Sequence, residues 1–201
     1  VDDYARDTEP FARAFADVRA PLGVFSVAGN HDVYAGWAAV RRGLEAAGQR
    51  VLVNEAVELV RGGGSLWLAG TGDPAGNGFR GRGGSAAAPD VARTLARVPE
   101  GAFVLALAHN PVLWPTLAER HVHLTLSGHT HHGQLSVPRL DWSLASVFLE
   151  HSMGAYQRGG SLLYINPGTN YWGLPFRLGA LPEVTVIELR RGDETALRRR
   201  D

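Results

Sequence analysis

Cysteine is absent from the 201 residues. That excludes disulfides and thiolate metal sites, so any metal held here must be hard or borderline and bound through nitrogen and oxygen. The absence leaves the cellular compartment undetermined. No apolar run approaches the roughly 18 residues that a membrane-spanning helix needs, and no signal peptide is visible. Neither sign of charge is in excess, since 20 basic residues balance 20 acidic ones, and nucleic acid is not an expected partner. There is no internal repeat and no coiled-coil heptad. The chain also opens Val1-Asp2-Asp3 with no initiator methionine and reads as if entered midway. What is present is an ordinary globular composition, 45% hydrophobic, long enough for a sizeable core in one domain spanning 1–201.

Taken in order, the pattern predicts a helix from Thr8 to Arg19, with Phe11, Phe15 and Val18 recurring at helical spacings of four and three. Leu22 to Ala28 is an almost wholly apolar run and suits a strand buried on both faces. Gly36 to Ala47 reads as a second helix with Trp37, Val40, Leu44 and Ala47 in one stripe and Gly48 as its stop. Val51 to Val53 is a short strand, and Val57–Val60 with Leu66–Ala69 form a hairpin across Gly62-Gly63-Gly64. The glycine-rich stretch from Thr71 to Pro89 is expected to be a mobile surface loop, its Arg80 and Arg82 either solvated or reaching an anionic substrate. Helices are expected at Pro89–Val98, with Val91, Leu95 and Val98 inward, and at Val112–Glu119. Strands are expected at Phe103–Ala108, Val122–Leu126, Ser161–Ile165 and Val184–Leu189. Ser136 to Gln157 shows no clear period, and Arg198-Arg199-Arg200 reads as a solvated end.

The densest chemistry lies in Leu126-Ser127-Gly128-His129-Thr130-His131-His132-Gly133-Gln134. If this backbone is extended, His129 and His131 point to one face about 6.6 Å apart. Two ions about 3.5–4 Å apart fit between such imidazoles, so each histidine is a candidate ligand to a different ion. The plainer reading is a histidine-rich surface loop. Two more polar clusters follow predicted strands, Asn30-His31-Asp32 after Ala28 and His109-Asn110 after Ala108. Ligands in α/β sheets bind at the carboxyl ends of strands, and all three clusters take that place. Each residue also has a structural reading: Asn30 as a turn residue, His109 as a hydrogen-bonded histidine, Asp32 as the group that orients His31. His121, His123 and His151 are read as surface or half-buried residues without a role. His132 adjoins the candidate ligands and is open between a supporting and a substrate-facing place.

Gly29-Asn30-His31-Asp32, Ala108-His109-Asn110-Pro111 and Ser127-Gly128-His129-Thr130-His131, in that order, resemble the calcineurin-like metallophosphoesterases. The resemblance is nearest to the bacterial branch with the signature SGHTHGGQ. Further matches are Ala20-Pro21-Leu22-Gly23-Val24-Phe25, Asn54-Glu55-Ala56-Val57, Gly70-Thr71-Gly72-Asp73-Pro74 and Gly173-Leu174-Pro175-Phe176-Arg177. It implies an α/β fold, a β-sandwich of two sheets flanked by helices. It implies two divalent or trivalent metal ions of the Mn, Fe, Zn or Mg class, with Asn30, His109 and His129 on one and His131 on the other. His31, tuned by Asp32, would be the catalytic residue beside the scissile phosphate. Such an ion pair neutralises phosphate oxygens and lowers the pKa of water to about 7. The expected activity is phosphoester hydrolysis. The substrate would be a phosphorylated small molecule, a lipid-linked compound or a protein, and the residues that bind it are not identified.

Departures from the family's pattern shape the rest of the expectation. No Asp-x-His occurs, and Val1-Asp2 looks like the end of the family's second motif. The bridging carboxylate and the N-terminal β-α-β portion would then precede Val1, leaving a truncated chain with impaired activity. Localisation stays open between the cytoplasm and the cytoplasmic membrane, with membrane association only through the missing N-terminus. His132 stands where the branch has glycine, and Asn166-Pro167-Gly168-Thr169 replaces its usual glycine turn. Two other readings remain: a non-catalytic scaffold that binds another protein, and a single-ion hydrolase that recruits Asp2 or Asp3.

Overall fold

A computed structural model describes residues 8–78, 86–140 and 142–192. The chain divides into two compact units, Val1–His109 and Asn110–Asp201. Each unit is mixed α/β and holds three strands that pair within it.

In the first unit, α1 (Thr8–Phe15) stops short of the expected Arg19. Phe11 and Phe15 stack at 4.4 Å, and Phe11 packs on the core, but Val18 is exposed. The apolar run after it is not a doubly buried strand. Only β1 (Phe25–Ser26) is extended, pairing in parallel with β2 (Arg50–Val51), and Leu22 is exposed. Helix α2 (Asn30–Ala46) starts six residues before the expected Gly36 and breaks at that glycine, whose φ is +109°. The predicted stripe is present: Trp37, Val40 and Leu44 are buried against Ala28 and Val51. Gly48 follows with φ +79°, the left-handed turn that ends helices.

Strands β3 (Glu55–Arg61) and β4 (Gly64–Gly70) form the expected hairpin. Gly62 and Gly63 both have positive φ, which matches the right-handed strand twist. β4 runs parallel to β5 (Val104–Leu107), which is buried as its composition predicted. Between them, Asp90 caps α3 (Val91–Leu95) by accepting the Arg93 N–H at 2.9 Å. Thr94 is the buried residue of α3, while Val91, Leu95 and Val98 are half-buried.

The described ends of the Thr71–Pro89 stretch, 71–78 and 86–89, depart from expectation, while 79–85 lie outside the described residues. Thr71, Asp73 and Ala87 are fully buried, and Pro74–Asn77 forms a tight 3-10 turn. A Cβ on Gly72 would lie 2.2 Å from the Ala87 carbonyl oxygen, so glycine here permits packing of backbone on backbone. Arg80 and Arg82 lie outside the described residues, as do Asp2, Asp3 and the Arg198–Arg200 tail.

In the second unit, a 3-10 turn (Pro111–Leu113) leads into α4 (Trp114–Glu119). Strand β6 (Leu124–Ser127) pairs in parallel with β10 (Ser161–Ile165), and β10 pairs antiparallel with β9 (Gly154–Arg158). Trp114, Leu163 and Ile165 form the local core, and the Trp114 indole donates to Ser161 Oγ at 3.2 Å. The 136–157 segment holds a small hairpin of β7 (Ser136–Val137) and β8 (Trp142–Ser143), and β9, none of which has a strong sequence period.

Val184–Leu189 is not a strand. Glu183 and Thr185 face Tyr164 and Asn166 through hydrogen bonds, while Val184 and Val186 are exposed. Alternation supplies two faces, but a strand also needs a hydrogen-bonded neighbour.

Candidate functional site

In the first unit the site is built where α2 begins and β5 ends. Gly29 is the N-cap of α2 and Asn30 its first residue. Asn30 Oδ1 lies 2.9 Å from His109 Nε2, although 79 residues separate them in sequence. The His109 ring also covers Gly29 so closely that a Cβ there would meet it at 3.2 Å. Asp32 is buried, and its Oδ2 accepts the Gly29 N–H at 2.8 Å. This carboxylate therefore fixes the start of the helix, favoured there by the positive end of the helix dipole. His31 packs edge-on against Tyr34 at 5.7 Å.

Asp73 sits beside this group, on the turn that packs against α2. It is 1% exposed; its Oδ1 accepts the Ala75 N–H at 2.9 Å, and its Oδ2 has no partner among the described residues. Burial pushes its pKa up, the Ala75 hydrogen bond pulls it back, and the Asp32 charge raises it further. The sequence flagged Asp73 only as part of a motif and gave no sign of its burial.

In the second unit, the histidine stretch is not extended, which overturns the geometric argument that placed His129 and His131 on one strand face. β6 ends at Ser127, and His131–Gly133 is a 3-10 turn. His129, His131, His132 and Gln134 have φ of 71°, 49°, 51° and 61°. The left-handed region is costly for residues with a Cβ, of order 1–3 kcal/mol each, and persists only where the surroundings enforce it. The surroundings here are specific. Thr130 Oγ1 donates to the Ser152 carbonyl at 2.6 Å, and the Gln134 amide donates to the Trp172 carbonyl at 2.8 Å while accepting the Trp172 N–H. His132 Nδ1 lies 3.3 Å from Ser152 Oγ, and Arg177 holds the His131 carbonyl at 3.0 Å.

The remaining histidines stand elsewhere in this unit. His151 packs edge-on against Trp114 at 5.2 Å and Tyr156 at 4.4 Å. His121 is exposed, and His123 is half-buried just before β6. Burial lowers the His123 pKa, and the charge of His121 lowers it further.

The donor set fits a hard or borderline ion, being imidazole nitrogen and amide oxygen. The Asn30 and His109 atoms are hydrogen-bonded to each other at 2.9 Å, as the plainer reading of His109 expected. Among the described residues, no group of three or more His, Asp or Glu gathers as a ready-made cage. What the structure brings together is the Asn30–His109 pair in the first unit and a strained loop bearing His129 and His131 in the second.

Neither a family model nor a solved structure matches the chain. Relatives of known name do. An "uncharacterized metallophosphoesterase" of Helicobacter pylori is 31% identical over 191 residues, covering 94% of this chain and 48% of the relative. One of the same description from Aquifex aeolicus is 31% identical, covering 94% of this chain and 69% of the relative. The phosphodiesterase YaeI of Escherichia coli is 33% identical over 185 residues, covering 88% and 63%. The chain thus spans about half the length of the Helicobacter relative.

Proposed function

This chain belongs to the metallophosphoesterases, and we propose that it is a metal-dependent hydrolase of phosphoesters. Asn30 and His109 in the first unit, and His129 and His131 in the second, are its metal donors; two ions are the expected complement. When bound, the ions supply Lewis-acid neutralisation of phosphate oxygens and activation of water. The observation that supports the reading is the 2.9 Å hydrogen bond between Asn30 Oδ1 and His109 Nε2, which brings two metal-competent side chains from motifs 79 residues apart side by side.

The protein's own groups then divide the work. Asp32 holds the Gly29 amide and so fixes the turn from which Asn30 and His31 project. His31, beside them, is the proposed acid that protonates the leaving oxygen, a role worth about 10²–10⁴-fold in rate. Four donors among the described residues are few for two ions that each take four or more ligands, so slow turnover is proposed. The substrate is a phosphorylated small molecule, lipid-linked compound or protein.

The test is hydrolysis of bis(4-nitrophenyl) phosphate by the full chain with and without Mn²⁺, alongside Mn²⁺ binding by calorimetry. His109→Ala is expected to weaken Mn²⁺ binding about tenfold or more and to remove metal-dependent turnover. Unchanged Mn²⁺ binding in that variant overturns the assignment.

A further inference from the structure

We propose that Arg177 is the positioning residue for His131, clamping both the backbone that carries the imidazole and the turn near it. The proposal rests on the reading of His131 as a metal donor.

An arginine offers five N–H donors in a fixed planar fork. Here Nη1 donates to the carbonyls of Gly168 at 2.8 Å and Asn170 at 2.9 Å. Nη2 donates to the carbonyl of His131 at 3.0 Å and to that of Pro167. Those four bonds use all four terminal hydrogens. The remaining donor, Nε, is buried without a partner among the described residues. A phosphate oxygen arriving near this side chain finds no terminal hydrogen to accept, so the arginine organises main chain rather than gripping substrate.

The acceptors show what is organised. The His131 carbonyl belongs to a residue held at φ +49°, a conformation its neighbours must enforce. The other three acceptors lie on the 167–170 turn, and the His131 ring lies near that turn. A Cβ on Gly168, whose own φ is +83°, would lie 3.8 Å from His131 Nδ1. One cation therefore ties the strained carbonyl to the turn near the same residue's ring. Lysine cannot replace it, because three donors on one nitrogen do not span four carbonyls in a plane.

The experiment reads histidine ring resonances by ¹H–¹⁵N NMR in the full metal-free chain, and Mn²⁺ affinity by calorimetry, in the parent, R177K and R177A. The expected result for R177K is a shifted or broadened His131 resonance with His121 and His123 unmoved. Mn²⁺ binding is expected to weaken by about tenfold, the usual scale for losing a residue that orients a ligand. Millimolar guanidinium added to R177A is expected to restore the His131 resonance, and methylammonium is not. An unmoved His131 resonance in R177K overturns the proposal. So does an R177A chain that guanidinium returns to the fold without returning His131 to its parent position. If the parent itself takes up no Mn²⁺, the functional reading falls, and the metal-free resonances still decide the role of Arg177.

Discussion

Asn54 Oδ1 accepts the backbone N–H of Asp90 at 2.9 Å, across 36 residues of chain. The same oxygen accepts the Gly72 N–H at 3.1 Å, and the Asn54 amide donates to the Ala88 carbonyl at 2.6 Å. One side chain thus staples both ends of the glycine-rich stretch to the start of β3. Asn54 itself has φ +56°, a conformation asparagine tolerates better than most residues. Asn54→Ala is expected to lower stability by about 1–3 kcal/mol, because one buried and two part-buried backbone groups lose their partner. Urea denaturation checks this, and a loss below about 0.5 kcal/mol, typical of a surface change, contradicts it.

Gly133 closes the histidine loop. A Cβ there would lie 2.4 Å from the Ala145 amide nitrogen, and the glycine's φ is +67°. Gly133→Ala combines a backbone clash with left-handed strain, so a loss of more than about 2 kcal/mol is expected. Thermal unfolding of the variant measures it. A neutral result would mean that the loop does not pack on the 145 segment.

Asp73 makes stability depend on pH in a direction opposite to most carboxylates. Its folded pKa is raised, chiefly by burial. The native state therefore holds the proton more tightly than the unfolded chain. The stability this contributes is complete below about pH 4 and is lost as pH rises through the folded value. Asp73→Asn keeps an oxygen for the Ala75 N–H and cannot ionise. Its stability relative to the parent is expected to rise with pH from about 4 upward, read from urea midpoints across the pH range. A difference that stays flat with pH refutes the buried proton.

His123 carries a lowered pKa, first from burial and then from His121. His121→Ala removes the second cause and leaves the first. The His123 pKa is expected to rise part of the way toward the ordinary value of about 6.5, followed by NMR titration. In the parent, the unfolded chain takes up this proton before the native state does, so stability falls as pH drops below about 6.5. The variant narrows that window. An unmoved His123 titration would leave burial as the sole cause.

Periodicity made much of the local structure legible. The Trp37, Val40 and Leu44 stripe is buried, the Gly62-Gly63 hairpin forms, and the apolar Val104–Leu107 run is a buried strand. Each depends on neighbours within a turn or two of chain, which the pattern of residues records. Two of the failures share a cause. Val184–Leu189 alternates like a strand but lacks a ladder, and the Thr71–Pro89 stretch looks mobile by composition yet buries Thr71 and Asp73. In both, the outcome depended on what lay alongside.

For the candidate site, the residues alone supplied the chemistry: histidines, an asparagine and an aspartate in three ordered motifs, with no thiol to compete. Tertiary structure decided the geometry. It set Asn30 against His109 across 79 residues, bent the histidine loop away from an extended path, and brought Arg177 onto the carbonyl of His131 46 residues back. Residue types fix which bonds a side chain can make. Contacts between distant residues, and strained torsions that only such contacts sustain, exist once the chain has packed.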